Sequence, residues 1–150
     1  MAALTQQGRA SVITQNIDNL YGVAKTAQLV EFHGNLYQVY CTKCGQHVDW
    51  HEYLKSPYHQ TDHGYLRPNV VLYDEGIASA NIERAVQYLQ QADLVVICGT
   101  SFRVYPFAGL IDYRNPKAQV LAINAEPLQL PFAFTMVQQD AVDFFEGVQV

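Results

Sequence analysis

Apolar residues along this chain fall into short runs, and each run is closed by a polar cluster. Val12 and Ile13 lead into Thr14-Gln15-Asn16 and Asp18, so Ser11–Thr14 reads as a short buried strand. Ala27–Phe32 reads as a second strand, with Val30 and Phe32 on one face, and it ends at His33-Gly34. Leu66–Tyr73 holds an apolar strand after Pro68 and stops at Asp74-Glu75-Gly76. Ile82, Ala85, Val86 and Leu89 recur at helical spacing and predict an amphipathic helix over Ser79–Gln91. Leu94–Cys98 is an unbroken apolar run of strand length, followed at once by Gly99-Thr100-Ser101. A short helix over Tyr105–Tyr113, strands over Val120–Ile123 and Ala133–Val137, and a helix opening at Asp140 complete the series. The last helix carries its apolar face on Ala141, Val142, Phe144 and Phe145. Residues 1–10 read as the end of a helix, with Leu4 its main apolar residue and Gly8 its stop.

Strand-helix-strand alternation of this kind predicts an α/β fold with a parallel sheet. Continuous apolar runs suit parallel strands covered on both faces, which makes Cys98 a core residue. The polar clusters then lie at the carboxyl ends of strands, the edge where open α/β sheets bind ligands. The expected fold is a partial Rossmann-like parallel sheet with helices, made of residues 1–34 and 65–150. Residues 35–64 lack clear periodicity. They hold Cys41, Cys44, Trp50 and four of the five histidines, and read as a small zinc-ribbon-like insert.

Composition narrows the function. The net charge of −5 disfavours a non-specific nucleic-acid binder. No apolar stretch is long enough to span a membrane, and residues 1–11 show no basic segment leading into an apolar core. Three cysteines, an odd number, fit a reducing compartment, so a cytoplasmic location is expected.

The polar clusters suggest specific chemistry. Gly99-Thr100-Ser101 can offer N–H groups and hydroxyls to a ribose or phosphate, or be an ordinary strand-to-helix turn. Asn124 can bind a sugar hydroxyl or cap a turn. Asn16 and Asp18 can bind a carboxamide or form Asx-turns. His33 can serve as a general base near neutral pH, or pack within its own loop. Cys41-x-x-Cys44 is half of a zinc ribbon or a redox pair. His59 and Asp62 repeat the same spacing and would complete a Cys₂HisAsp set, with His63 or His47 as substitutes. The other reading is an insert with two free thiols and no metal.

Taken together, the motifs resemble those of the sirtuins, the NAD-dependent protein lysine deacylases, over nearly the whole chain from Ser11 onward. Thr14–Asp18 is similar to the family's nicotinamide-pocket motif, which implies cofactor contacts at Gln15, Asn16 and Asp18. Glu31–Gly34 resembles the motif of the catalytic histidine, which falls on His33, with Asn16 as a second catalytic residue. Leu66–Glu75 and Gly99–Pro106 resemble the segments that flank the substrate peptide and the ribose. The resemblance implies NAD contacts at Gly99, Thr100, Ser101, Asn124, Asp140 and Ala141. It implies substrate contacts at Val71, Tyr73, Glu75, Val104 and Pro106, with an acyl-lysine peptide as partner. Cys41 and Cys44 match the family's first zinc pair.

The chain also departs from the family. Sirtuins begin with a strand and a Gly-Ala-Gly-rich phosphate loop, then a Gly-x-Pro-Asp-Phe-Arg cofactor loop. Neither motif occurs here. Tyr73-Asp74-Glu75 stands where the family has Phe-Gly-Glu, and His59 and Asp62 stand at the second zinc pair. The chain is therefore expected to be a truncated deacylase core that does not turn over NAD by itself. The alternative is a non-catalytic binding module, dimeric through a sheet edge left open.

Overall fold

The computed structural model describes residues 1–148. Its described residues divide into two compact units, Met1–Ile82 and the part from Glu83 onward.

The first unit opens with helix α1 (Ala2–Gln6), followed by Gly8 in the left-handed region at φ +70°. Thr5, not Leu4, is its buried anchor, at 1% exposure. Its hydroxyl donates to the Ala2 carbonyl (2.7 Å) and accepts from the Ala27 N–H (3.0 Å). Strand β1 (Val12–Thr14) pairs in parallel with β2 (Leu29–Glu31), in the register Val12 to Leu29 through Thr14 to Glu31. Val12, Val30 and Phe32 are buried, the last two as their shared face predicts. Between the strands lies α2 (Leu20–Val23), a turn with no apolar stripe to announce it.

The segment that lacked periodicity contains an eight-residue strand. β3 (Gly34–Cys41) pairs antiparallel with β4 (His47–Val48) on one side and β5 (Leu66–Val70) on the other. The register against β5 shifts between Asn35 and Val39. An irregularity there breaks the two-residue alternation that identifies a strand in sequence. Helix α3 (Trp50–Lys55) is capped by Asp49, whose carboxylate accepts from the His51 N–H at 2.8 Å. Val39, Cys41 and Leu66 form a small core, with Val48, Trp50 and Tyr53 against it.

Helix α4 (Ser79–Gln91) spans the predicted residues and buries Ala85 and Leu89. In the second unit, β6 (Leu94–Cys98), β7 (Gln119–Asn124) and β8 (Thr135–Gln138) form a parallel sheet in the order β6-β7-β8. A 3-10 helix covers Phe107–Tyr113, and α5 (Ala141–Glu146) follows β8. This is the expected mixed α/β architecture with parallel strands.

One expectation fails. β6 alternates in burial: Val95 and Ile97 are inside, whereas Leu94 and Val96 are 47% and 40% exposed and Cys98 is exposed. An apolar run need not be covered on both faces. Among the described strands β6 pairs with β7 alone, and one of its faces is buried while the other is exposed.

Replacing Thr5 by Val keeps the volume but strands the Ala27 N–H. Urea denaturation should show a loss of about 1–3 kcal/mol. An unchanged midpoint would exclude this bond as an anchor.

Candidate functional site

Parallel pairing of β1 with β2 sets the candidate edge of the first unit. The Phe32 N–H donates to the Thr14 carbonyl at 2.8 Å, which carries the pairing one residue past both strands. Gln15 and Asn16 therefore leave the same sheet edge as His33. The Asn16 N–H donates to Thr14 Oγ1 (3.1 Å), which fixes the turn. Asp18 is used locally, since its Oδ1 accepts from the Leu20 N–H at 3.0 Å. The His33 ring packs edge-on against Phe32, at 5.5 Å between centroids and 70°.

Asn35 was not singled out from the sequence, yet it fastens this edge. It is buried, and its amide donates to Asn19 Oδ1 (2.8 Å) and Glu31 Oε1 (2.6 Å), while its Oδ1 accepts from the Tyr37 N–H (2.9 Å). Its signal in sequence is only a polar residue after His33-Gly34. Gly34 itself is required: at φ +82°, a Cβ would stand 1.9 Å from the Asn69 carbonyl oxygen.

The candidate substrate segment follows β5. The Val71 N–H donates to the His33 carbonyl at 2.9 Å. Leu72–Glu75 then closes a turn, with the Glu75 N–H on the Leu72 carbonyl (3.1 Å) and Asp74 at φ +67°. A left-handed residue at this place suits glycine, and aspartate is among the side chains that tolerate it. Tyr73 projects from the turn, fully exposed. The Glu75 carboxylate pairs with the Arg67 guanidinium and accepts from the Leu72 N–H at 2.9 Å. Arg67 also donates to the Val70 carbonyl at 3.0 Å, so it ties both ends of the loop. Arg67, Val71, Glu75 and Asn81 line a cleft of about 330 Å³. Arg67 and Asn81 were missed in sequence, because an arginine beside a proline in a strand carries no pattern of its own.

The second unit holds a separate cavity of about 350 Å³. Gly99, Thr100, Ser101, Asn124, Asp140 and Ala141 all line it, together with Ala125 and Glu126. The six expected residues come from three stretches of chain and meet at the carboxyl ends of β6, β7 and β8. The Thr100 N–H donates to Asn124 Oδ1 (3.0 Å), and the Asn124 amide donates to the Glu126 carbonyl (2.9 Å). Asp140 caps α5 through the Val142 N–H at 2.8 Å. Glu126 was missed; a carboxylate at a strand end in such a cavity can accept from a ribose hydroxyl. Val104 and Pro106 do not line this cavity. They precede the 3-10 helix, where the Val104 and Pro106 carbonyls accept from Ala108 (2.9 Å) and Gly109 (3.1 Å).

Cys41, Cys44, His59 and Asp62 converge, with their ligand atoms all within 4.8 Å of one another. Cys41 Sγ lies 3.4 Å from Asp62 Oδ1, Cys44 Sγ lies 3.6 Å from His59 Nδ1, and His59 Nδ1 lies 3.0 Å from Asp62 Oδ1. Donors bound to zinc at about 2.0–2.3 Å stand roughly 3.3–3.8 Å apart at the corners of a tetrahedron. These three distances are near those edges, and the sulfur, nitrogen and carboxylate donors are all zinc ligands, so these four residues fit a zinc ion. His63 and His47 are not part of it. The Gly64 N–H, then the Cys44 and Cys41 thiols and His59, hold the Asp62 carboxyl well below the usual carboxylate range. The Gln46 N–H favours the Cys44 thiolate, but desolvation and hydrogen bonds to Asp62 and Cys41 together push its thiol up. A bound cation would relieve that crowding of acceptors, since a metal deprotonates the thiols it binds.

The Sir2 family profile matches residues 1–106. The chain belongs to the Sir2 family. A NAD-dependent protein deacetylase of Listeria monocytogenes serotype 4b is 48% identical over 148 residues, covering 99% of this chain and 65% of that protein. One from Enterococcus faecalis is 46% identical over 144 residues, covering 95% and 61%. Among solved structures, Sir2 bound to acetylated peptide superposes with a TM-score of 0.87 at 27% identity, over 97% of this chain and 65% of that one. A complex of Sir2 with a p53 peptide and NAD+ gives 0.85 at 28% identity, over 97% and 64%. This Sir2-family chain thus spans just under two thirds of the length of these relatives. Among its described residues, no helix is long and apolar enough to cross a membrane.

Two outcomes follow for this Sir2-family chain. Metal analysis of the purified chain should find stoichiometric zinc, and Asp62→Ala should lose most of it; a zinc content near zero in the wild type would exclude the site. Arg67, then the Leu72 N–H, lowers the Glu75 carboxyl from 4.5 to about 2. A depressed carboxylate stabilises the fold above its unfolded value and loses that contribution as pH falls through the folded one. The melting temperature of Glu75→Gln should therefore lie below the wild type at neutral pH. The gap should shrink from pH 4.5 downward and close near pH 2. A gap independent of pH would rule out the ion pair as its source.

Proposed function

We propose that this chain carries a NAD-dependent protein lysine deacylase core, with residues 35–64 as a metal-pinned insert in a nucleotide-binding domain of residues 1–34 and 65–150. The observation that carries the reading is the second unit's cavity. Its lining unites Gly99, Thr100, Ser101, Asn124, Asp140 and Ala141, six residues from three strand ends. In this reading the turn after β6 presents N–H groups and hydroxyls to the ribose, while Asn124, Asp140 and Ala141 face the adenosine side. Gln15, Asn16 and Asp18 hold the carboxamide, which needs both donors and acceptors. Bound NAD would supply a ribose carbon from which the acyl oxygen of the substrate displaces nicotinamide. His33 takes the proton from a ribose hydroxyl, so that the oxygen can attack the acyl carbon of the substrate lysine. With one water consumed, the products would be nicotinamide, O-acyl-ADP-ribose and free lysine.

Val71, Tyr73 and Glu75 supply one set of contacts to an acyl-lysine peptide, and Val104 and Pro106 another. Recognition of this kind draws affinity from main-chain hydrogen bonds. The Arg67–Glu75 pair supports it by holding the Leu72–Glu75 turn in one shape before any peptide arrives. The three cysteines are free, which agrees with a reducing, cytoplasmic setting.

A second reading has its own observation. β6 pairs only with β7 among the described strands, and its run Leu94–Cys98 carries no charge, proline or bulge to deter pairing. A folded, non-catalytic module that dimerises through this edge fits that feature.

Calorimetric titration with NAD, followed by nicotinamide release on an acetyl-lysine peptide, separates the two. The first reading expects NAD binding, and expects any release to be abolished by His33→Ala. No heat at millimolar NAD, with a concentration-dependent dimer in light scattering, would leave the second.

A further inference from the structure

The metal cluster depends on a residue that is not a ligand. A methyl group on Gly64 would stand 2.5 Å from Cys41 Sγ, 2.6 Å from Lys43 Cβ and 3.2 Å from Asp62 Oδ1. The first two distances are far inside van der Waals contact. The Gly64 N–H donates to Asp62 Oδ1 at 2.9 Å, and its carbonyl accepts from the His59 N–H at 2.8 Å. One residue thus bears on three of the four donors. It makes room for the Cys41 sulfur, aims the Asp62 carboxylate, and ties down the main chain of His59.

Backbone conformation does not explain the glycine. The glycines with positive φ are Gly8, Gly34, Gly45 and Gly99, and Gly64 is not among them. Gly45, on the opposite arm, shows the contrast. It sits at φ +74° with nothing within 4 Å of a Cβ, so glycine serves conformation there and space at Gly64. The two arms also share a device: Cys41 Sγ accepts from the Lys43 N–H (3.4 Å) just as Asp62 Oδ1 accepts from Gly64, each from two residues on. A carboxylate thereby takes, on the second arm, the hydrogen bond that a sulfur takes on the first.

We propose that Gly64 is the positioning residue of this metal centre, bringing the Cys41 sulfur and the Asp62 carboxylate within reach of one ion. The proposal rests on the reading of Cys41, Cys44, His59 and Asp62 as zinc ligands.

The test uses the full chain and zinc alone, with competition against a chromophoric chelator. Gly64→Ala should weaken zinc binding on the order of 10- to 100-fold, as loss of a residue supporting metal ligands does. Gly45→Asn, at a left-handed position that asparagine tolerates, should stay within about threefold. Cobalt loaded into Gly64→Ala should show a weakened thiolate-to-metal absorption, because Cys41 is displaced. Wild-type affinity and an unchanged cobalt spectrum in Gly64→Ala would overturn the positioning role while leaving the zinc site standing. Failure of the wild type to bind zinc would overturn both. If Gly64→Ala does not fold, amide hydrogen exchange in the wild type decides. The Gly64 amide should be protected, more so with zinc, and protection should be lost in Asp62→Ala. An unprotected amide in the zinc-loaded chain would overturn the proposal.

Discussion

Parallel strand pairing is the constraint on which the candidate sites depend. In a parallel pair both chains leave the sheet at the same edge, so whatever follows the strands is gathered there. The register of β1 against β2 puts Thr14 opposite Glu31, and the residues beyond them are Gln15 and Asn16 on one strand and His33 on the other. In the second unit, β6, β7 and β8 deliver Gly99-Thr100-Ser101, Asn124 and Asp140 to one cavity by the same geometry. A slip of register in either sheet would scatter these groups.

Backbone groups released at a strand end must find new partners, and the candidate residues supply them. Asn124 accepts from Thr100 and donates to the Glu126 carbonyl, so it holds two turns while lining the cavity. Asp140 caps a helix, Asp18 accepts from the Leu20 N–H where α2 begins, and Glu75 closes a turn through Leu72. Turn-forming and ligand-facing roles are therefore not alternatives at these positions. The hydrogen bond that shapes the loop also fixes the atoms left facing outward.

The sheet of β4, β3 and β5 follows a different logic. Its apolar core is small, centred on Val39, Cys41 and Leu66, and a core of that size contributes modestly to stability. Four converging donors provide a second centre in the same segment, where bound metal would add folding free energy. Asp62 enters that set because the Gly64 N–H stabilises its carboxylate in place.

Much was legible in the sequence where spacing alone decides structure. Helix α4 and strand β6 occupy the predicted residues, since helical periodicity and an apolar run with polar ends are local signals. Gly99, Thr100, Ser101 and Asn124 were legible at strand ends, and Asp140 and Ala141 through the resemblance to the sirtuins. β3 was not, because the register shift between Asn35 and Val39 erases its alternation. Asn35, Arg67 and Gly64 were not, because their partners lie 16, 8 and 23 residues away, at Asn19, Glu75 and Cys41. The exposure of Cys98 was not, because hydrophobicity records what a strand can bury and not what lies beside it. The order of residues thus determined the strands, the helices and the polar groups at their ends. Tertiary structure alone decided which of those groups meet, since meeting depends on register, on an edge left open, and on a glycine where a methyl group would not fit.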